Sequence, residues 1–230
     1  MVDSLVLFGS GDGRVYAVDA GSGMVRWTYR TKGRVRSSPS VALGAVYVGS
    51  ADGSVYALDL DSGDLRWRFD TEGRELASGD FGYDRRTVQS SPAVSEGVVY
   101  VGARDGFLYA IDATSGEQRW RFDHEISWVN SSPAVAGGAV YAGSSDGHFI
   151  HSVDARAGTE IWRLETPSIV WSSPAIVGDY LYVGDGSGRI HAIDRASGRE
   201  HWSYRVGLRI LSSPVPAGGL LYFGSDDGDI

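Results

Sequence analysis

"SSPAVAGGAVYAGSSDG", residues Ser131 to Gly147, decides how this chain is read, because near-copies of it recur along the sequence. The residues alternate with period two and carry β-branched or aromatic side chains, which predicts strands. The unit starting here predicts strand A over 131–136 ("SSPAVA"), B over 139–144 ("AVYAGS"), C over 149–155 ("FIHSVDA") and D over 159–166 ("TEIWRLET"). "SDG" at 145–147 joins B to C, with aspartate suited to the turn and glycine to a positive φ. "DARAG" at 154–158 joins C to D, and "DAGSG", "DLDSG", "DATSG" and "DRASG" match it elsewhere.

The period is close to 40 residues. Trp27, Trp67, Trp120, Trp162 and Trp202 step by 40, 53, 42 and 40. The prolines of "SSP" (Pro39, Pro92, Pro133, Pro174, Pro214) step by 53, 41, 41 and 40. Four antiparallel strands per unit, without helical periodicity, describe a β-propeller blade and an all-β fold. WD40 repeats share the period and architecture, but their Gly-His and Trp-Asp signatures are absent. The chain opens on a B strand (Leu5 to Ser10) and ends on an A and a B strand, which predicts 21 strands in all. The expected architecture is a single propeller domain over 1–230 with five blades, the N- and C-terminal strands completing one of them. A fragment of a six-to-eight-blade ring is the alternative. Closing the ring would remove exposed strand edges.

Composition narrows the function classes. The 230 residues contain no cysteine, which excludes disulfides, thiolate metal sites and cysteine nucleophiles. Formal net charge is -8 with no basic block, which speaks against nucleic acid as a partner. No apolar run reaches the roughly 18 residues of a membrane helix. The start "MVDSLVLFGSGDG" lacks the basic region and cleavage site of a signal peptide, so localisation is left open.

"YALDLDSGDLRW" (Tyr56 to Trp67) and "YAIDATSGEQRW" (Tyr109 to Trp120) resemble the tryptophan-docking motif of quinoprotein propellers. "SSPAV" followed by "VVYVGARDG" resembles the rest of the same pyrroloquinoline-quinone-like repeat. The resemblance covers nearly the whole chain. It implies a propeller used variously in quinone-dependent dehydrogenases, in outer-membrane barrel assembly and in sensor domains of kinases. It also implies an extracytoplasmic setting if an export signal has been removed. Fold does not fix function here.

Most chemical-looking residues belong to the repeat. "DLDSGD" (59–64) resembles a calcium loop but lacks a terminal bidentate glutamate, and reads as a capped hairpin. His151 and His191 stand where other units carry Tyr16, Tyr56 and Tyr109, and read as packing substitutions. A one-residue insertion beside His148 predicts a β-bulge. The five repeated tryptophans read as blade packing. No metal site and no catalytic constellation emerges.

Two features break the repeat. One is the insertion "TEGRELASGDFGYDRR" (71–86), a candidate contact loop. The other precedes each "SSP": "RVR" (34–36), "TVQ" (87–89), "WVN" (128–130), "IVW" (169–171) and "RIL" (209–211). The central Val or Ile predicts burial, and its variable neighbours should face a propeller's channel mouth. Arg34, Arg36, Gln89, Trp128, Asn130, Trp171 and Arg209 are therefore the candidate ligand-binding set, suited to an anionic or planar ligand. The expected function is a non-catalytic scaffold or recognition module for a protein partner or a small anionic ligand, with no cofactor. The alternatives are a quinoprotein dehydrogenase, with pyrroloquinoline quinone and calcium, and a signalling sensor domain.

Overall fold

The computed structural model describes residues 4–76, 84–125 and 127–228. Among them are 21 β-strands and no α-helix. Strands β1 (Leu5–Gly9), β2 (Arg14–Asp19) and β3 (Val25–Arg30) form a three-stranded sheet. Four-stranded antiparallel sheets follow. The first is β4 (Ser40–Ala42), β5 (Ala45–Gly49), β6 (Ser54–Asp59) and β7 (Leu65–Asp70). The second is β8 (Ala93–Ser95), β9 (Val98–Gly102), β10 (Phe107–Asp112) and β11 (Gln118–Asp123). The third is β12 (Ala134–Ala136), β13 (Ala139–Gly143), β14 (Phe149–Asp154) and β15 (Glu160–Glu165). The fourth is β16 (Ala175–Val177), β17 (Tyr180–Gly184), β18 (Arg189–Asp194) and β19 (Glu200–Arg205). A hairpin of β20 (Val215–Ala217) and β21 (Leu220–Tyr222) completes the series. Each four-stranded sheet has the A-to-D strand order that the repeat predicts for one unit.

The chain divides into two compact units. Met1–Asp105 with Tyr109–Trp120 makes one, and Gly106–Leu108 with Arg121–Ile230 the other.

The expected A strand over 131–136 is shorter, Ala134–Ala136, because "SSP" does other work. The Ser131 hydroxyl donates to the Gly143 carbonyl at 3.1 Å and accepts from the Gly143 N–H at 2.8 Å. Ser37 grips Gly49 in the same way. The second serine reaches the next blade: Ser173 Oγ accepts from the Ser132 N–H at 2.9 Å, and Ser91 Oγ from the Ser38 N–H at 2.8 Å. The serines of the repeat are thus hinge pins between backbone segments.

The tryptophans seat one blade on the next. Trp27 donates its indole N–H to the Leu60 carbonyl at 2.9 Å, and Trp67 donates to that of Ala113 at 3.0 Å. In the second unit Trp162 donates to the Arg195 carbonyl at 2.9 Å. Trp27 joins Val15, Ala17, Val46, Val48, Tyr56 and Leu58 in a buried cluster. Trp162 does the same with Tyr141, Ile150, Leu181, Val183 and Ile193. Truncating such a buried aromatic typically costs about 3–5 kcal/mol.

The insertion beside His148 does not make a bulge. The extra residue is absorbed in the turn before β14, with His148 at φ 54°. Bulges lie elsewhere, at a recurring place in the C–D pairs, between Ala17/Val18, Ala57/Leu58, Ser152/Val153 and Ala192/Ile193.

Candidate functional site

The five Val/Ile residues before "SSP" are all buried: Val35, Val88, Val129, Val170 and Ile210. Each visible anchor explains a glycine of the repeat. Val35 lies against Gly9, Val88 against Gly49, Val170 against Gly143 and Ile210 against Gly184, so closely that no side chain fits there. The same segments are stitched to turns between B and C strands. The Val35 N–H donates to the Ser10 carbonyl at 3.0 Å, while the Arg34 carbonyl accepts from the Ala51 N–H at 2.8 Å. With the central residue pinned inward, its neighbours are turned away from the core.

In the first unit this brings charge together. Arg34, Arg36 and Gln89 line one cavity of about 280 Å³ with Ala51, Asp84, Thr87 and Arg104. Three guanidinium groups thus share a concavity with one carboxylate. Arg34 and Arg36 are exposed, and neither forms an ion pair among the described residues. Arg104 is half-buried. Burial lowers its pKa, the Asp84 charge opposes this, and the Arg36 charge adds to it. Two cations that disfavour each other beside a single anion make a site that gains from an incoming anion.

Arg104 is absent from the sequence-derived set. It lies in the B–C turn, "GARDG", where "GSADG" and "GSGDG" carry small residues, and that departure was the available signal. Its N–H donates to the Thr87 carbonyl at 3.1 Å, a long-range stitch that periodicity does not reveal.

Trp128, Asn130, Trp171 and Arg209 lie in the second unit. Trp128 and Asn130 are partly buried, and the Trp171 ring is 37% exposed. The Trp171 indole N–H donates to Ser145 Oγ at 2.6 Å. Arg209 is already partnered, with Nε 2.8 Å from Asp226 Oδ2. The clearest grouping is therefore Arg34, Arg36 and Gln89.

Of the 71–86 insertion, 77–83 lie outside the described residues. Its first part forms a short 3₁₀ turn, Glu72–Glu75. Asp105 Oδ2 accepts from the Gly73 N–H at 2.9 Å and from the Tyr109 hydroxyl at 2.7 Å, which pins the turn. Arg85 Nη2 donates to the Asp105 carbonyl at 2.9 Å.

The two substituting histidines behave differently. His191 takes over the tyrosine's task, with Nε2 3.3 Å from Asp185 Oδ2 and Nδ1 2.6 Å from Glu200 Oε1. Burial opposes its charge, but the two carboxylates outweigh that and raise its pKa. His151 packs on His124 with ring centroids 4.7 Å apart, between Phe122 and Phe149. None of the four ring nitrogens has an aligned hydrogen-bond partner.

Repeated tryptophan docks between four-stranded sheets define a β-propeller of the quinoprotein-like repeat class. The chain belongs to the family described as outer membrane protein assembly factor BamB, whose model matches residues 2–81, 78–167 and 149–230. No curated protein matches it. Among solved structures, the computationally designed Ika8 protein aligns over 99% of this chain and 67% of its own, at 19% identity and TM-score 0.82. BamB from Moraxella catarrhalis aligns over 98% and 80%, at 18% identity and TM-score 0.61. Quinohemoprotein alcohol dehydrogenase from Comamonas testosteroni aligns over 89% of this chain but 42% of its own, at 19% identity and TM-score 0.70. Likeness at these identities carries the fold alone.

The arginine cavity does not fit calcium with a quinone. Its lining offers one carboxylate against three cations. Among the described residues, no group of three or more His, Asp or Glu side chains is placed to hold a metal ion. No helix among them is long and apolar enough to cross a membrane.

Proposed function

We propose that this chain is a non-catalytic recognition module, and that Arg34, Arg36 and Arg104 receive a carboxylate-bearing segment of a protein partner. The single observation carrying this is the cavity of about 280 Å³ in which three guanidinium groups meet one carboxylate. Gln89 and Thr87 add polar groups at its wall, suited to the backbone of an acidic peptide. A role in protein–protein assembly outside the cytoplasm agrees with the family's description as an outer membrane protein assembly factor.

The test is calorimetric titration of the whole protein with a tetraglutamate peptide at low salt. Binding that weakens about tenfold or more in Arg36→Ala and in Arg104→Ala is expected, since one charged hydrogen bond is worth about 1.5–3 kcal/mol. Thermal unfolding should change little for Arg36→Ala, which is exposed. A wild-type protein that ignores the peptide, or variants that bind it equally well, would overturn the reading.

A further inference from the structure

Three departures from the repeat meet at one corner of the second unit. The first is Ile161, beside the docking tryptophan of β15. At that position Arg26, Arg66 and Arg119 each pair with the aspartate of their own C–D turn, Asp19, Asp59 and Asp112, at 3.2, 2.8 and 2.7 Å. Arg66 also covers the A–B turn of its sheet. Its Nη1 donates to the Leu43 carbonyl at 3.0 Å, and its Nη2 lies 3.3 Å from where a Cβ on Gly44 would stand. Ile161 cannot do this and is 50% exposed. The A–B turn beside it is Gly137–Gly138, and nothing lies within 4 Å of where a Cβ on Gly138 would stand. A cavity of about 180 Å³ takes the place of the missing arginine.

The second departure is Arg195, where the acceptor turns of Trp27 and Trp67 carry Leu60 and Ala113. Its carbonyl still receives the Trp162 indole, but its side chain lines the cavity, with Nη1 3.7 Å from where a Cβ on Gly137 would stand. Nε is buried without a hydrogen bond, and the guanidinium has no ion pair among the described residues. The neighbouring Asp194 is held below its usual pKa chiefly by the Ser197 hydroxyl and N–H, with the Arg195 charge contributing least.

The third is Ser152, where Ala17, Ala57, Ala110 and Ala192 stand in the other units. It pairs across the ladder with Tyr141 on one side and Trp162 on the other. It is fully buried, lines the cavity, and its Oγ lacks an aligned hydrogen bond. Burial raises the Tyr141 pKa while the Arg195 charge and the Ser152 hydroxyl oppose it, so the three polar groups lie close enough to act on one another. A guanidinium and two hydroxyls thus converge on a concavity whose other walls, Gly137, Ala139 and Ile161 among them, are apolar and carry no carboxylate. Such a site gains from an anion with an apolar body.

We propose that this cavity binds a short aliphatic carboxylate, its charged end on Arg195 and Ser152 and its hydrocarbon against Ile161 and Ala139. The volume sets the size. A cavity of about 150 Å³ holds a benzene ring, so a branched acid of about five carbons fits. Every lining residue belongs to the second unit, and the site does not depend on the arginine cavity of the first.

Titration of the whole protein with isovalerate tests it, followed by the methyl NMR signals of labelled isoleucine. Saturable shifts of the Ile161 methyls are expected, in the millimolar range proper to so small a ligand. Isovaleramide, the neutral isostere, should bind about tenfold or more weakly, because it lacks the charge that the guanidinium answers. Arg195→Ala and Ser152→Ala each restore a residue that other units carry at the same place, so both variants should fold, as thermal melting checks. The first should weaken isovalerate binding about tenfold or more, and the second about threefold. Ile161 methyls that do not shift would overturn the proposal. So would an amide that binds as well as the acid, or an Arg195→Ala variant that binds isovalerate as the wild type does.

Discussion

The sheet of β4–β7 and the sheet of β12–β15 are copies of one repeat, yet they solve the B–C turn differently. In the first, Tyr56 donates its hydroxyl to Asp52 Oδ2 at 2.7 Å, and the same carboxylate accepts from the Lys32 N–H at 2.9 Å and the Ser54 N–H at 3.1 Å. Burial and the Asp52 contact together raise the tyrosine's pKa, so it stays a donor. In the second, the extra residue at the turn leaves Asp146 exposed and without a hydrogen bond among the described residues. The position of Tyr56 is held by His151, which turns to His124 instead. A single insertion has thus exchanged a satisfied aspartate latch for a buried imidazole pair whose nitrogens lack an aligned hydrogen bond. Repeat identity fixes the strand frame, while the turn decides which polar groups are satisfied.

The largest consequence is acid sensitivity of the second sheet. Burial pushes the His124 pKa down to about 3 and that of His151 down to about 2, with the Arg163 charge adding to both and the His124 charge adding to the shift of His151. Glu160 Oε2 stands 2.7 Å from His151 Nδ1 but off the axis of its N–H, and half-hydrated, so it does not reverse the direction. Arg163, beside Glu125 and over the Phe149 ring, closes the surroundings with a further cation. Folded values below the ordinary 6.5 mean the stability is fully present above pH 6.5 and is lost as pH falls through it. At pH 5 the loss should reach about 2 kcal/mol per imidazole. His191, whose pKa is raised, works in the opposite sense and gives up its contribution as pH rises. Urea unfolding at pH 7 and pH 5 measures the net. Replacing the pair by the residues of the other blades, His124→Thr with His151→Tyr, should flatten that difference. An equally steep loss in the double variant would break the comparison.

Next in size is the latch itself. Asp52→Ala strands a buried tyrosine hydroxyl and two backbone N–H groups, at a cost of about 2–3 kcal/mol. Asp146→Ala removes an exposed side chain with no partner, and should change stability by no more than about 0.5 kcal/mol. Equilibrium denaturation of the two variants side by side gives the contrast directly. Equal effects would show that the aspartate has the same role in both blades.

The blade frame was legible because it is local and repeated. Period-two alternation, the Asp-x-x-Ser-Gly turns and the spaced tryptophans all report on neighbours within one unit. The burial of Val35, Val88, Val129, Val170 and Ile210 was legible for the same reason. What escaped lies across the sequence. The serines of "SSP" show their purpose only against Gly49 or Gly143, twelve residues on, and against the next blade. Arg104 joins Arg34 and Arg36 through contacts 68 to 70 residues apart, which no periodicity contains. His148 read as a bulge because an insertion can be taken up by a strand or by a turn, and spacing does not say which.

Trp171 gives the smallest test, since it contacts the very turn in which the two sheets differ. Its indole N–H reaches Ser145 Oγ, one residue before Asp146, at 2.6 Å. In the sheet of β4–β7 the matching residue, Ala51, has no side chain to accept such a bond, and Asp52 holds the turn instead. The Trp171–Ser145 bond therefore stands in for part of the missing latch. A neutral hydrogen bond of this kind contributes about 0.5–1.5 kcal/mol net. Trp171→Phe keeps most of the ring but removes the donor, and Ser145→Ala removes the acceptor. Each should destabilise by about 1 kcal/mol, and the double variant by hardly more than either, as measured by urea denaturation in a double-mutant cycle. Additive losses would mean that the two side chains act separately, and that the lengthened turn is held by its backbone alone.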